Sequence, residues 1–273
     1  MTLSKTARWL LRLGMLVGLG FIYVPLAIVL INSFNADRTF AWPPPSWTTD
    51  WWSRAWDNEG ARSALWTSVK AGLFATLVAL VLGTLISFAV QRYRFFGRQA
   101  LSLVVVLPIA LPGIVTGIAL DTAFRTVFEP IGVGKGLLSV VIGHATFCVV
   151  VVYNNVLARL RRTGTSYEEA SADLGANGVQ TFRFVTFPLI RSALFAGGLL
   201  AFALSFDEII VTTFTAGPGV QTLPIWIFNN LFRPNQAPVI NVVASVLIVL
   251  SVVPVWFAQR LGASAFSYQA DGE

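Results

Sequence analysis

Charge is what this sequence has least of. Asp, Glu, Lys and Arg make up 12% of its 273 residues, against about 25% in a soluble domain. A folded surface needs ionised groups to stay in water, so the shortfall implies that much of this surface faces lipid. The 55% share of hydrophobic residues and a mean hydropathy of +0.71 agree. There is one cysteine, Cys148, inside an apolar run, so neither an internal disulfide nor a thiolate metal site is available. The one histidine, His144, has no ionisable partner beside it. It is expected to hydrogen-bond between helices, as are Asn154 and Asn155, rather than to relay protons. No Gly-x-x-x-x-Gly-Lys-Ser/Thr loop occurs, so the chain cannot hydrolyse ATP by that route. No His/Glu metal motif or Ser/Lys constellation points to an enzyme, and no metal or cofactor is expected on this chain.

What is present is hydrophobic length. Crossing a hydrocarbon core of roughly 30 Å takes about 20 helical residues. Six stretches qualify: Trp9–Ile31, Ala71–Val90, Leu101–Leu120, Leu137–Ala158, Ala193–Phe214 and Val239–Ala258. They predict helices, because backbone polar groups in lipid must be satisfied within the segment. The period-two alternation of a membrane barrel is missing from these continuous runs. The fold class expected is all-α, a polytopic membrane protein with six transmembrane helices. No repeat, heptad seam or low-complexity tract divides the chain, so residues 1–273 are read as a single transmembrane domain. The first stretch begins with Lys5, Arg8 and Arg12, as a secretory signal does, but it outruns the roughly 7–15 apolar residues of a signal core. It is expected to be a retained anchor.

The formal charge is +6 and the pI about 10.0, which in a soluble protein would suggest nucleic acid. Basic residues gathered beside membrane spans explain it better. One side collects twelve: Lys5, Arg8, Arg12, Arg92, Arg94, Arg98, Arg159, Arg161, Arg162, Arg183, Arg191 and Arg260. The other collects seven: Arg38, Arg54, Arg62, Lys70, Arg125, Lys135 and Arg233. This bias predicts that both termini are cytoplasmic and that segments 32–70, 121–136 and 215–238 lie outside. Segment 32–70 carries Trp42, Pro43, Pro44, Pro45, Trp47, Trp51, Trp52, Trp56 and Trp66. Trp rings favour the headgroup level, so this segment is expected to lie along the outer interface; contact with a binding protein is the alternative.

Between the fourth and fifth stretches runs a cytoplasmic loop of residues 159–192, long enough to suggest a function. Thr165 or Ser166 can cap a helix whose first turn holds Glu168 and Glu169, beside the positive dipole end. Ser166 to Glu169 has the capping-box spacing. That helix, Tyr167–Leu174, should stop at Gly175, and a second, Gly178–Val185, before Pro188. Two short helices lying across the inner membrane face are expected.

Glu169-Ala170-Ser171, then Gly175 three residues on, then Val185 and Phe187-Pro188 resemble the EAA loop of ABC importer permeases. That pattern is Glu-Ala-Ala, three residues, Gly, nine residues, Ile, any residue, Leu-Pro; every spacing is met, with Ser171, Val185 and Phe187 as conservative departures. The resemblance implies a type I ABC importer permease-like fold in a bacterial inner membrane. It implies that the loop seats in a cleft on an ATP-binding subunit and passes its motion to the spans. Glu168, Glu169, Ala170, Ser171, Gly175 and Pro188 are then the coupling residues, with Glu169 pairing with a basic group on the ATPase. The implied partners are a second permease subunit, two copies of an ATP-binding subunit carrying ATP and Mg, and an extracytoplasmic binding protein.

A narrower resemblance covers much of the chain. Leu107-Pro108-Ile109-Ala110-Leu111-Pro112-Gly113, Ala203-Leu204-Ser205-Phe206-Asp207-Glu208-Ile209, Gly217-Pro218 and Thr222-Leu223-Pro224 are similar to segments of spermidine/putrescine permeases, and to the second of their two permease subunits. Polyamine is the substrate this implies; iron, thiamine, sulfate or another small solute is the alternative on the same scaffold. A stand-alone secondary transporter would show internal repeats and intramembrane ion sites, and neither is visible.

Acidic groups within a span are costly, by about 2.5–3.5 kcal/mol for Asp at a helix centre. They usually face a cavity or a partner. Asp207, Glu208 and Asp121 are the candidates for the substrate pathway, with Trp226 as a lining of the outer mouth or an interface anchor. A continuous helix would point Asp207 and Glu208 about 100° apart. Glu208 would share a polar stripe with Ser205, Thr212 and Thr215, and Asp207 would pack against another helix. Both carboxylates bonding to neighbouring spans is the plainer alternative. Asp121 can instead pair with Arg125 four residues on. Pro108, Pro112, Gly113 and Gly117 are expected to kink the third span or let a helix approach closely.

Overall fold

A computed structural model describes residues 4–233 and 235–251. It is helical almost throughout: α1 Lys5–Asn32, α2 Asp50–Asp57, α3 Glu59–Arg92, α4 Arg98–Ala110, α5 Gly113–Ala123, α6 Leu137–Thr163, α7 Ser166–Asp173, α8 Gly178–Thr181, α9 Phe187–Phe206, α10 Ile210–Thr215, α11 Leu223–Asn230 and α12 Ala237–Ser251. Among the described residues four helical runs are long and apolar enough to cross a membrane: Lys5–Asn32, Glu59–Arg92, Leu137–Thr163 and Gly178–Phe206. A bent pair of helices makes a fifth. The sixth expected span, Val239–Ala258, is described only as α12, and its remainder lies outside the described residues.

Three of the expected elements differ from a plain reading of hydropathy. The third span is broken: α4 and the run Gly113–Ile131 meet at 106°, far more than a kink. Leu111 is extended (φ −81°, ψ 144°), as a residue before proline prefers. The helix restarts on the Pro112 carbonyl, which accepts from Val115 and Thr116. Pro108, by contrast, lies inside α4, whose last turn closes past it. The second difference lies at Pro188. The helix expected to end before it runs on from Gly178 to Phe206 through a π-turn at Phe182–Thr186. The wider turn sends the Phe187 N–H back to the Phe182 carbonyl, which eases the clash a proline ring makes in a regular helix. The third difference is that the fifth span is interrupted after Phe206 and resumes at Ile210.

The chain forms two compact units: one of the residues up to Ala61 with those from Ile227 on, the other Arg62–Trp226. In the first unit the tryptophan-rich segment folds on itself. Trp51 is buried, its Nε1 donates to the Asn35 carbonyl at 2.9 Å, and the guanidinium groups of Arg38 and Arg54 lie 5.6 and 4.8 Å from its ring. Phe34 and Trp52 stack at 5.1 Å. Trp42, Trp47 and Trp56 stay exposed, as does Trp66 of the second unit.

In the second unit α6 is the central post, buried along most of its length. Small residues let its neighbours come close: Ala75 and Ala79 on α3, Gly197 and Ala201 on α9. Lipid tails are as apolar as leucine, so this packing, not exclusion from water, holds spans together. At Gly83 of α3 even a methyl group would come within 2.9 Å of the Val149 carbonyl oxygen on α6. Gly83→Leu is therefore expected to destabilise the unit by about 1–3 kcal/mol or more, seen as lower thermal stability of the detergent-solubilised protein, while a Val at exposed Leu82 leaves it unchanged within error.

Candidate functional site

The short helix α7 presents two different faces. Glu168 and Ser171, three residues apart, are half-buried, while Glu169, Ala170, Asp173 and Leu174 are exposed, Leu174 at 89%. The helix ends in a Schellman motif: Ala176 N–H donates to Ser171 O and Gly175 N–H to Ala172 O. Gly175 sits at φ +84° with open space around it, so glycine serves the left-handed backbone and not a tight contact. The expected capping box does not form. The cap falls on Thr165, without a side-chain bond, because the carboxylate three residues on is used elsewhere: Glu168 pairs with Arg92 at the end of α3. α8 does carry a capping box, between Asn177 and Gln180. Ser171 joins the two short helices through Thr181 at 3.1 Å. Pro188 lies in the first turn of α9.

At the interruption of the fifth span, Asp207 is the C-terminal cap of α9 and Glu208 leads into α10. The premise of one continuous helix fails here, and with it the 100° argument. Glu208 is half-buried; its Oε1 accepts from Val211 N–H at 2.8 Å and its carbonyl accepts from the Thr212 hydroxyl at 2.8 Å. Asp207 is exposed, not packed on another helix of this chain, and no hydrogen bond or ion pair reaches its carboxylate among the described residues.

His144 bridges the interruption from α6. It is fully buried, with Nδ1 2.7 Å from Ser205 Oγ and Nε2 2.7 Å from Thr212 Oγ1. Thr212 has one hydroxyl hydrogen and donates it to Glu208 O, so it must accept from His144 Nε2–H. In an uncharged ring Nδ1 then accepts from the Ser205 hydroxyl. Each end of the interrupted helix is thus tied to the same imidazole. Sequence reasoning had His144 bonding between helices but not this bridge, since the break itself was hidden in an apolar run. Asn155 differs from expectation: its amide donates to Val151 O in its own helix, and Asn154 is exposed.

Asp121 ends the apolar part of α5 and is already neutralised. It pairs with Arg125 at 2.9 Å, as its spacing suggested, and with Lys135, which no local spacing could have revealed. Trp226, on α11, is buried. Gly117 and Gly217 mark close approaches. A methyl group on Gly117 would overlap the Phe214 ring of α10, and one on Gly217 would overlap the Lys135 carbonyl. Gly113 faces Ile210 at ordinary contact distance.

Helices long and apolar enough to cross a membrane stand beside a pair of short helices with the EAA spacing. Residues 79–265 match the family described as binding-protein-dependent transport system inner membrane component, and the chain belongs to that family. It is a permease subunit of an ABC importer, a transport component and not a catalytic enzyme. The chain is 34% identical over 248 residues to the spermidine/putrescine transport system permease protein PotC of Haemophilus influenzae, covering 90% of this chain and 94% of that protein. It is 32% identical over 238 residues to the putrescine transport system permease protein PotI of Escherichia coli K12, covering 86% and 84%. In fold it is similar to a chain of a bacterial ABC transporter involved in the import of the acidic polysaccharide alginate, with a TM-score of 0.66, 16% identity and coverage of 97% and 99%.

His144→Leu leaves the Ser205 and Thr212 hydroxyls without their buried partner and is expected to cost about 1–3 kcal/mol, read as a lower unfolding temperature of the purified complex. His144→Gln, which can still donate and accept, should lose less.

Proposed function

We propose that this chain forms one half of the translocation pathway of a bacterial ABC importer for polyamines, putrescine and spermidine. It would cross the membrane six times with both termini in the cytoplasm and pair with a different permease subunit. Of two copies of an ATP-binding subunit in the importer, one would dock on the exposed face of α7, and an extracytoplasmic binding protein would deliver the substrate. The chain itself would bind no cofactor; ATP and Mg belong to the partner subunits. Closure of the ATPase pair would push on α7, the spans would rock between outward- and inward-open states, and the substrate would pass between the two halves.

The observation that carries the polyamine reading is the interrupted fifth span. Transporters place cation sites where a helix breaks, because the last carbonyls of the first half keep unused acceptors. The 20-residue helix α9 ends at Phe206 with its negative dipole end beside the unpaired Asp207 carboxylate, and Glu208 follows. Two carboxylates and a helix C-terminus suit an ammonium group, while the apolar walls suit its methylene stem. The likeness to PotC and PotI, named for spermidine and putrescine, supports the same choice.

Cells lacking this subunit are expected to lose uptake of radiolabelled putrescine or spermidine; unchanged uptake of both would overturn the substrate assignment. Asp207→Asn should lower uptake about tenfold, the scale of a lost charge-assisted hydrogen bond. Glu208→Gln should lower it less, since the amide oxygen still accepts from Val211 N–H. Glu169→Ala, on the outward face of α7, should abolish transport-coupled ATP hydrolysis while the binding protein keeps its affinity for substrate.

A further inference from the structure

Glu168 stands next to the motif glutamate, yet it points the other way. Its Oε1 accepts from Arg92 Nη2 at 3.1 Å and from the Thr186 hydroxyl at 3.0 Å, and its Oε2 lies 2.9 Å from Arg92 Nε. The Arg92 side chain is 12% exposed and that of Glu168 22%, so the pair is screened from most of the solvent. Arg92 Nη2 also donates to the Gly164 carbonyl at 2.7 Å, in the turn between α6 and α7. Thr186 is buried at the end of the π-turn, one residue before α9. One carboxylate in the first turn of α7 is therefore fastened to the cytoplasmic end of α3, and through Thr186 to the root of α9.

We infer that Arg92, Glu168 and Thr186 form a strut that carries displacement of α7 into the second and fifth spans, and that Glu168 is a positioning residue of the permease rather than a contact for the ATPase. The inference rests on α7 being the element that the ATPase moves. The argument is mechanical. α7 has eight residues, and an isolated helix of that length is marginal on its own, so a push on its outer face reaches the spans only through what holds its inner face. Among the described residues two side chains of that inner face bond to neighbouring helices. Ser171 reaches only Thr181 of α8, the neighbouring short helix. Glu168 reaches two helices that cross the membrane. Arg92 also holds the carboxylate by charge, with one hydrogen bond from Nη2 and Nε at ion-pair distance without one, which a single hydroxyl bond does not. Both spans it grips connect to the pathway residues already described, since α9 ends at Asp207 and α3 packs against α6.

The test uses the complete importer in proteoliposomes, with its cognate binding protein, and reads three quantities. They are co-purification of the ATPase subunit, ATP hydrolysis stimulated by the binding protein, and labelled putrescine transported per ATP hydrolysed. Arg92→Glu and Glu168→Arg alone should each retain the ATPase subunit but lower stimulated hydrolysis and the transport ratio by about fivefold to tenfold, the usual range for a residue on a coupling route. The exchange of both, Arg92→Glu with Glu168→Arg, should restore most of the loss, which a variant that merely misfolds cannot do. Thr186→Val should give a smaller loss of the same kind. Loss of the ATPase subunit in Glu168→Arg would make Glu168 a docking contact and overturn the strut, as would normal coupling in either single variant or no rescue in the exchange. A wild-type complex that is stimulated but moves neither putrescine nor spermidine would refute the polyamine reading and leave the strut to be judged on stimulated hydrolysis.

Discussion

Any backbone group that leaves a helix inside hydrocarbon must find a partner in protein, because lipid offers none. The second unit of this permease is arranged around that constraint at two places. At Leu111–Pro112 the missing N–H of proline and the restart on its carbonyl reduce the number of groups left over. At Asp207–Ile209 the solution uses side chains: Glu208 takes the Val211 N–H, Thr212 takes the Glu208 carbonyl, and His144 holds Thr212 and Ser205 in place. A broken helix there is tolerable only because α6 supplies a buried imidazole at the right height. The carboxylate of Asp207 stays exposed and takes no partner among the described residues.

Hydropathy made the spans legible because length and apolarity are properties of contiguous residues. The cores of α1, α3 and α6 stand where the apolar runs put them, with ends extended by several residues, since the helices continue into polar sequence at Glu59 and Thr163. Breaks were not legible in the same way. The fifth run stays apolar through Asp207 and Glu208, and nothing in a window average separates a helix carrying two acids from one interrupted at them. Pro188 misled in the opposite direction, since a π-turn can absorb a proline that a regular helix cannot.

The coupling loop was legible as a motif but not as a surface. Spacing placed Glu168 and Glu169 together in a first turn, and only the packing of α3 separates them, one turned to Arg92 and one to the outside. Long-range partners explain most of what the residues alone left open. Arg92 lies 76 positions from Glu168, and Lys135 joins Asp121 from the far side of a turn.

The close approach at Gly217 has a further consequence. With its backbone against the Lys135 carbonyl, with Ser139 donating to Thr215 O, and with Lys135 held by Asp121, the far ends of α5, α6 and α10 are locked into one block. Three helix ends that are far apart in sequence therefore meet as one stiff corner, and a displacement of any one of them carries the other two with it.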